Sequence, residues 1–224
     1  MSQEPIQRGN ATRQANKQKR RNNILNIARS MISSEGFEAF TISELASRAE
    51  VTIPTIHNLF GKKLDIFREL VEDMVVRIEA VLIQPVAQDP IVIAELFIDN
   101  LLALYREDEA FYKAAFVAGE RAKLFEHEMP SGIFNKSLKI AMWVCAQAVE
   151  QGYLQGDIDH KLMAQQVFGG QRLARQDWVN GYINLQEYRT QVLTSIFLTY
   201  LADATPEFAV KLREKLAKLQ DLQN

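Results

Sequence analysis

The chain has 224 residues, 47% hydrophobic and 24% charged, an ordinary soluble composition that excludes general disorder. No apolar stretch nears the roughly 20 residues that span a bilayer. The polar, basic start does not read as a secretory signal, and the lone Cys145 excludes an internal disulfide framework, so a cytoplasmic protein with no membrane segment is expected. The net charge of −2 argues, taken whole, against nucleic acid, but residues 1–70 hold 11 Lys+Arg against 7 Asp+Glu (net +4) and residues 71–224 hold 15 against 21 (net −6).

In chain order, residues 1–22 form a polar arm whose Arg13, Lys17, Lys19, Arg20 and Arg21 are basic, and a flexible arm is expected there. Ile24, Ile27, Ala28, Met31 and Ile32 follow the i, i+3, i+4, i+7 spacing of a helix with one apolar stripe. Gly36 stops that helix. Thr41 and Glu44 are spaced as a capping box opening a short second helix that carries Leu45, Ala46 and Ala49. Thr52 is the next N-cap, with Pro54 tolerated in the first turn of a third helix, and a fourth helix runs from about Lys62 to about Pro85.

The rest of the chain is also helical by period. Helices are expected from Asp89-Pro90 to about Tyr105, from about Asp108 to Phe125, around Ile140–Val144, from Asp159 to Val179, from Asn184 to Leu201, and from Thr205 through Leu222. Turns are expected at Pro130-Ser131-Gly132 and at Gly152–Gly156. The fold class is all-α, about ten helices, with boundaries at 1–22 (arm), 23–82 (small helical domain) and 83–224 (larger helical domain).

The tight turn at Ala49-Glu50-Val51 between two short helices makes a helix-turn-helix. A helix over about Ile53–Leu59 is roughly 10 Å long, which suits insertion into a major groove about 12 Å wide. Ile56, Leu59 and Phe60 would face the core, leaving Thr52, Thr55, His57 and Asn58 outward to reach base edges and phosphates. Helix N-termini at Thr41, Thr52 and Lys62 offer N–H groups and partial positive charge to phosphate oxygens. In the arm, Arg20 and Arg21 are candidates to track phosphates, with a purely solvated arm the competing reading. If two protomers neutralise about eight phosphates, affinity should fall about four decades between 50 and 200 mM salt.

Thr41-Ile42-Ser43-Glu44-Leu45-Ala46, followed by Val51-Thr52, Thr55-Ile56-His57, Phe60, Lys63 and Ile66-Phe67, resembles the DNA-binding domain of TetR-type transcriptional regulators over about residues 20–70. The resemblance implies that Thr41, Thr55, His57 and Lys63 contact DNA. It also implies a C-terminal domain for dimerisation and ligand binding, a repressor released from a palindromic operator by a small molecule, and no enzymatic role. Three positions depart from the family pattern: His57 stands where Tyr is usual, Leu59 where His or Tyr is usual, and Pro54 where Gly or Arg is common.

In the acidic body, Met163, Val167, Gly170, Ala174 and Trp178 form one stripe, and Val192, Ile196 and Tyr200 lie on a helix apolar nearly all round. These eight are expected to form a homodimer interface, with ordinary monomer core as the competing reading. Tyr105, Phe111, Phe116, Met142, Trp143 and Gln147 are candidate ligand contacts, although aromatic residues at helical spacing more often build core. Glu120 and Arg121 are weaker candidates for a polar group. His57, His127 and His160 are dispersed, so no metal or other cofactor is expected, and Cys145 reads as a buried inert thiol. The competing hypothesis is a helical carrier or enzyme whose N-terminal unit does not bind DNA. The operator, the effector and the regulated genes are not legible.

Overall fold

The structure, a computed structural model, describes residues 5–82, 89–125 and 133–221. They form ten α-helices: α1 (Pro5–Ala39), α2 (Ile42–Arg48), α3 (Ile53–Phe60), α4 (Lys63–Leu82), α5 (Pro90–Arg106), α6 (Glu109–Arg121), α7 (Ile133–Glu150), α8 (His160–Val179), α9 (Leu185–Leu201) and α10 (Pro206–Asp221). The fold is all-α, and the isolated pairing of Leu154 with Ala204 is the β-type contact among the described residues. No described helix is long and apolar enough to cross a membrane. Pro85, His127, the Pro130-Ser131-Gly132 turn and Leu222 lie outside the described residues.

The helix starts follow local chemistry. Thr52, Asp89, Asp159 and Asn184 each accept first-turn backbone N–H groups, and Asn184 with Glu187 completes a reciprocal capping box. Thr41 makes only half of one. The Glu44 N–H donates to its hydroxyl at 3.2 Å, but the Glu44 carboxylate is drawn to Arg48 at 2.8 Å. Gly36 interrupts α1 with φ 81, a left-handed conformation that glycine adopts freely. Upstream, residues 12–20 are exposed helix rather than an irregular arm. Their Arg, Lys, Gln and Ala side chains favour helix without an apolar stripe.

The chain packs as two compact units. One comprises the described residues up to Met74 together with Glu109–Ala118, and the other comprises Val75–Asp108 and the residues from Gly119 onward. In the first unit, Ile24, Ala28, Met31, Ile32, Leu45, Ile56, Ile66 and Phe67 are buried. The early part of α6 belongs to this unit because Arg29 of α1 lies over the Phe111 ring, 4.2 Å from its centre.

In the second unit α9 is central, with α5, α8 and α10 packed on it. That explains why its sequence is apolar nearly all round. The α8–α9 approach depends on Gly170, where an added Cβ would fall 1.9 Å from Ser195 Oγ and 2.7 Å from Ser195 Cβ. The adjacent Gly169 faces open space. Gly170→Ala is therefore expected to cost about 1–3 kcal/mol through overpacking. Gly169→Ala should stabilise by up to about 1 kcal/mol through helix propensity. Urea unfolding midpoints measure both, and a midpoint for Gly170→Ala at or above the parent's would refute the close-approach account.

Candidate functional site

The α2–α3 unit is built by three local devices. Arg48 ties α2 to α1 by pairing with Glu35 at 2.7 Å as well as with Glu44, and these two carboxylates raise its pKa, Glu44 most. Glu50 takes φ 53 to make the tight turn, a left-handed conformation uncommon for a residue with a side chain. Thr52 then caps α3. Its hydroxyl accepts the Thr55 N–H at 3.3 Å and lies 2.9 Å from the Thr55 hydroxyl. Ile56 anchors α3 in the core, while Thr52, Ile53, Pro54, His57 and Asn58 are exposed and Thr55 is half-buried. The result is a short helix held from behind, presenting two apolar and three polar side chains.

The C-terminal end of α3 is fastened by Arg21. Its guanidinium donates to the Leu59 carbonyl, pairs through two nitrogens with Glu69 of α4, and lies 4.3 Å from the centre of the Phe60 ring. Gly61 turns the chain from α3 to α4 with φ 95, and an added Cβ there would meet Asp65 Oδ2 at 2.7 Å. That Asp65 oxygen accepts the Lys62 N–H at 2.8 Å, so a carboxylate already occupies the N-terminus of α4. His57 Nδ1 lies 2.7 Å from the Gly61 carbonyl. A carbonyl only accepts, so Nδ1 carries the proton of this contact.

The second unit contains a cavity of about 150 Å³ among α4, α5, α7, α8 and α9. Phe97, Ile140, Val144, Phe168 and Ile196 supply apolar walls, and Asn100, Ser137, Gln171 and Tyr200 supply polar atoms. The small side chains Ala94, Ser137 and Ala141 leave the space that larger residues would fill. Nearby, Tyr105 stacks on Trp178 with ring centres 4.8 Å apart, and Tyr188 meets both edge-on. Arg175 is buried over the Phe134 ring and lies 3.9 Å from Glu120, and burial lowers its pKa. Burial pushes the Cys145 thiol up to about 12, which keeps it protonated and unreactive.

Residues 24–70 match the family described as bacterial regulatory proteins, tetR family. Over these residues the chain is similar to that family. The chain is also similar in fold to a TetR transcription regulator from Haloarcula marismortui ATCC 43049, with 14% identity, a TM-score of 0.69 and coverage of 84% of this chain and 100% of that one. A TetR-family regulator from Marinobacter aquaeolei VT8 has 15% identity, a TM-score of 0.65 and coverage of 89% and 98%. A gamma-butyrolactone receptor (ArpA-like protein) has 16% identity, a TM-score of 0.60 and coverage of 92% and 98%. At such identities the likeness establishes the fold. No curated protein matches the sequence.

Within this TetR-type unit the sequence-predicted DNA residues divide into two groups. Thr41, Thr52, His57, Asn58, Lys62 and Arg20 are exposed, and Thr55 stands half-buried beside them. Two others are turned inward. Arg21 is engaged with Leu59, Phe60 and Glu69, and Lys63 donates to the Glu38 carbonyl at 3.3 Å with its ammonium 4.5 Å from the Phe37 ring centre. Exposed Ile53, absent from the sequence-predicted set, flanks the outward polar residues.

The six predicted ligand contacts do not line the cavity. Tyr105, Phe111 and Phe116 are buried core, Met142 and Gln147 are half-buried, and Trp143 is exposed. Tyr105, Phe111 and Phe116 fill the core, whereas the cavity opens beside the small side chains of Ala94, Ser137 and Ala141. The eight predicted interface residues lie in the packed interior or along the cavity. Met163, Ala174, Trp178 and Val192 are buried inside a single chain, Gly170 packs on Ser195, and Val167, Ile196 and Tyr200 line the cavity. Of the weaker ligand candidates, Glu120 faces Arg175 and Arg121 is exposed.

Proposed function

We propose that the chain is a homodimeric transcriptional repressor that binds a palindromic double-stranded operator in the cytoplasm and releases it when a small molecule enters the C-terminal cavity. The observation that carries the DNA-binding part is the exposed face of α3, Thr52-Ile53-Pro54 with His57 and Asn58, on a helix whose other side is anchored by Ile56. Polar side chains there suit base edges, and Ile53 suits a thymine methyl group. His57 holds its Nδ1 against the Gly61 carbonyl, which leaves Nε2 as the ring nitrogen available to DNA. Phosphate contacts fall instead to exposed Arg13, Lys17, Lys19, Arg20 and Lys62.

The dimer surface is assigned to the outer side of α8 and α9, where Leu162, Leu173 and Leu198 are each more than half exposed and Gly169 is open. A two-fold dimer places two α3 helices on successive grooves. One structurally similar protein is a gamma-butyrolactone receptor, and a receptor of this fold supports reading the cavity as an effector site. The ligand shifts the chain off DNA only to the extent that it binds the released state more tightly.

Selection of bound fragments from random duplex DNA tests this reading. The expected result is an inverted repeat, with a Leu173→Glu variant sedimenting as a monomer and losing about a hundredfold or more in affinity for the full repeat. No enrichment of any sequence would remove the regulator reading in favour of a helical carrier.

A further inference from the structure

We infer that the cavity takes an uncharged, largely apolar small molecule bearing a hydrogen-bond acceptor, and that it rejects carboxylates and ammonium ions of the same shape. This rests on reading the cavity as an effector site and names the chemistry it selects. No charged side chain lines it; its polar atoms come from Asn100, Ser137, Gln171 and Tyr200. Burial pushes the Tyr200 phenol up, so it stays protonated as a donor.

The charged residues that adjoin the lining positions in sequence are engaged or turned outward. Glu79, just before Val81, pairs with Lys136, beside Ser137. Glu95, between Ala94 and Leu96, pairs with Lys215 at 2.7 Å. Asp99, beside Asn100, pairs with Arg189 at 2.6 Å. Arg172, beside Gln171, lies 5.3 Å from the Phe134 ring centre, and Lys139, beside Ile140, is exposed. An ionic ligand entering this space would lose its water without gaining a counter-charge, a desolvation that a neutral molecule avoids.

Size narrows the class further. About 150 Å³ matches an apolar cavity that holds a body the size of benzene. Leu96 lines the cavity and is 51% exposed, which leaves room for a longer substituent to reach solvent.

Titration of the full chain with methyl hexanoate, hexanoate and hexylammonium at fixed pH and ionic strength, by ligand-observed NMR, tests the inference. The ester is expected to bind at least tenfold more tightly than either ion. Tyr200→Phe should weaken the ester several-fold. Gln171→Glu, at a half-buried position, should make hexylammonium bind better than hexanoate and better than it binds the parent. Either ion binding as tightly as the ester, no binding by any of the three, or a folded Gln171→Glu variant with the parent's order would overturn the inference. The operator selection is a separate readout: ester preference without DNA binding would uphold the cavity chemistry and remove the regulator reading.

Discussion

Replacing Arg21 by Ala is expected to weaken operator binding by about tenfold, roughly 1.4 kcal/mol, while the salt dependence of the remaining affinity stays as in the parent. Arg21 is a positioning residue. It joins the Leu59 carbonyl of α3 to Glu69 of α4 and covers Phe60, so it fixes where the recognition helix ends. With side chains about 27% and 31% exposed, the Arg21–Glu69 pair is partly shielded from water. Its loss should cost about 1–3 kcal/mol of stability after allowing for solvent screening. Arg21→Lys should not restore binding, because an ammonium cannot reproduce the two-pronged contact. Binding isotherms at several salt concentrations, with urea melts of the same variants, separate this from a phosphate contact. Loss of a phosphate contact would reduce the salt slope by about one and leave stability unchanged.

The second large effect lies far from the DNA face. Asp203 is 1% exposed. Its carboxylate accepts the backbone N–H groups of Gly156, Asp157 and Ile158 at 3.0, 3.1 and 3.3 Å, stitching the α7–α8 turn to the end of α9. The Gln155 N–H to Asp203 carbonyl bond and the Thr205 N–H to Tyr153 carbonyl bond run alongside. Asp203→Ala removes the shared acceptor of three part-buried donors and should cost about 2–4 kcal/mol. That lowers Tm by about 4–16 °C for a chain of this size. Asp203→Asn keeps one oxygen and should fall between Ala and parent. Thermal melts measure both, and a shift under about 2 °C for the Ala variant would refute the stitch.

What the sequence discloses is set by range. The caps at Thr52, Asp159 and Asn184 involve groups three residues apart or fewer, so their chemistry is written locally. Apolar periodicity located the buried side of α8 and α9 but could not say what buries it. Met163, Trp178 and Val192, expected at an interface, are buried within the chain where α5, α8 and α10 pack on α9. The cavity was illegible because it is created by small residues, Ala94 and Ala141, drawn together from separate helices. The packing of Arg21 and Lys63 was illegible for the same reason. Their partners, Glu69 and Phe37, are distant in sequence, and composition marks only their charge. The local helix-turn-helix was legible almost entirely.

The central claim is that a chain of net charge −2 binds DNA through a basic, exposed N-terminal unit. Its affinity for a selected operator, measured by fluorescence anisotropy between 50 and 200 mM salt, tests that most directly. With about six to ten phosphates neutralised per dimer, the account predicts a fall of roughly 10³- to 10⁵-fold. An affinity that stays flat across that range would contradict it.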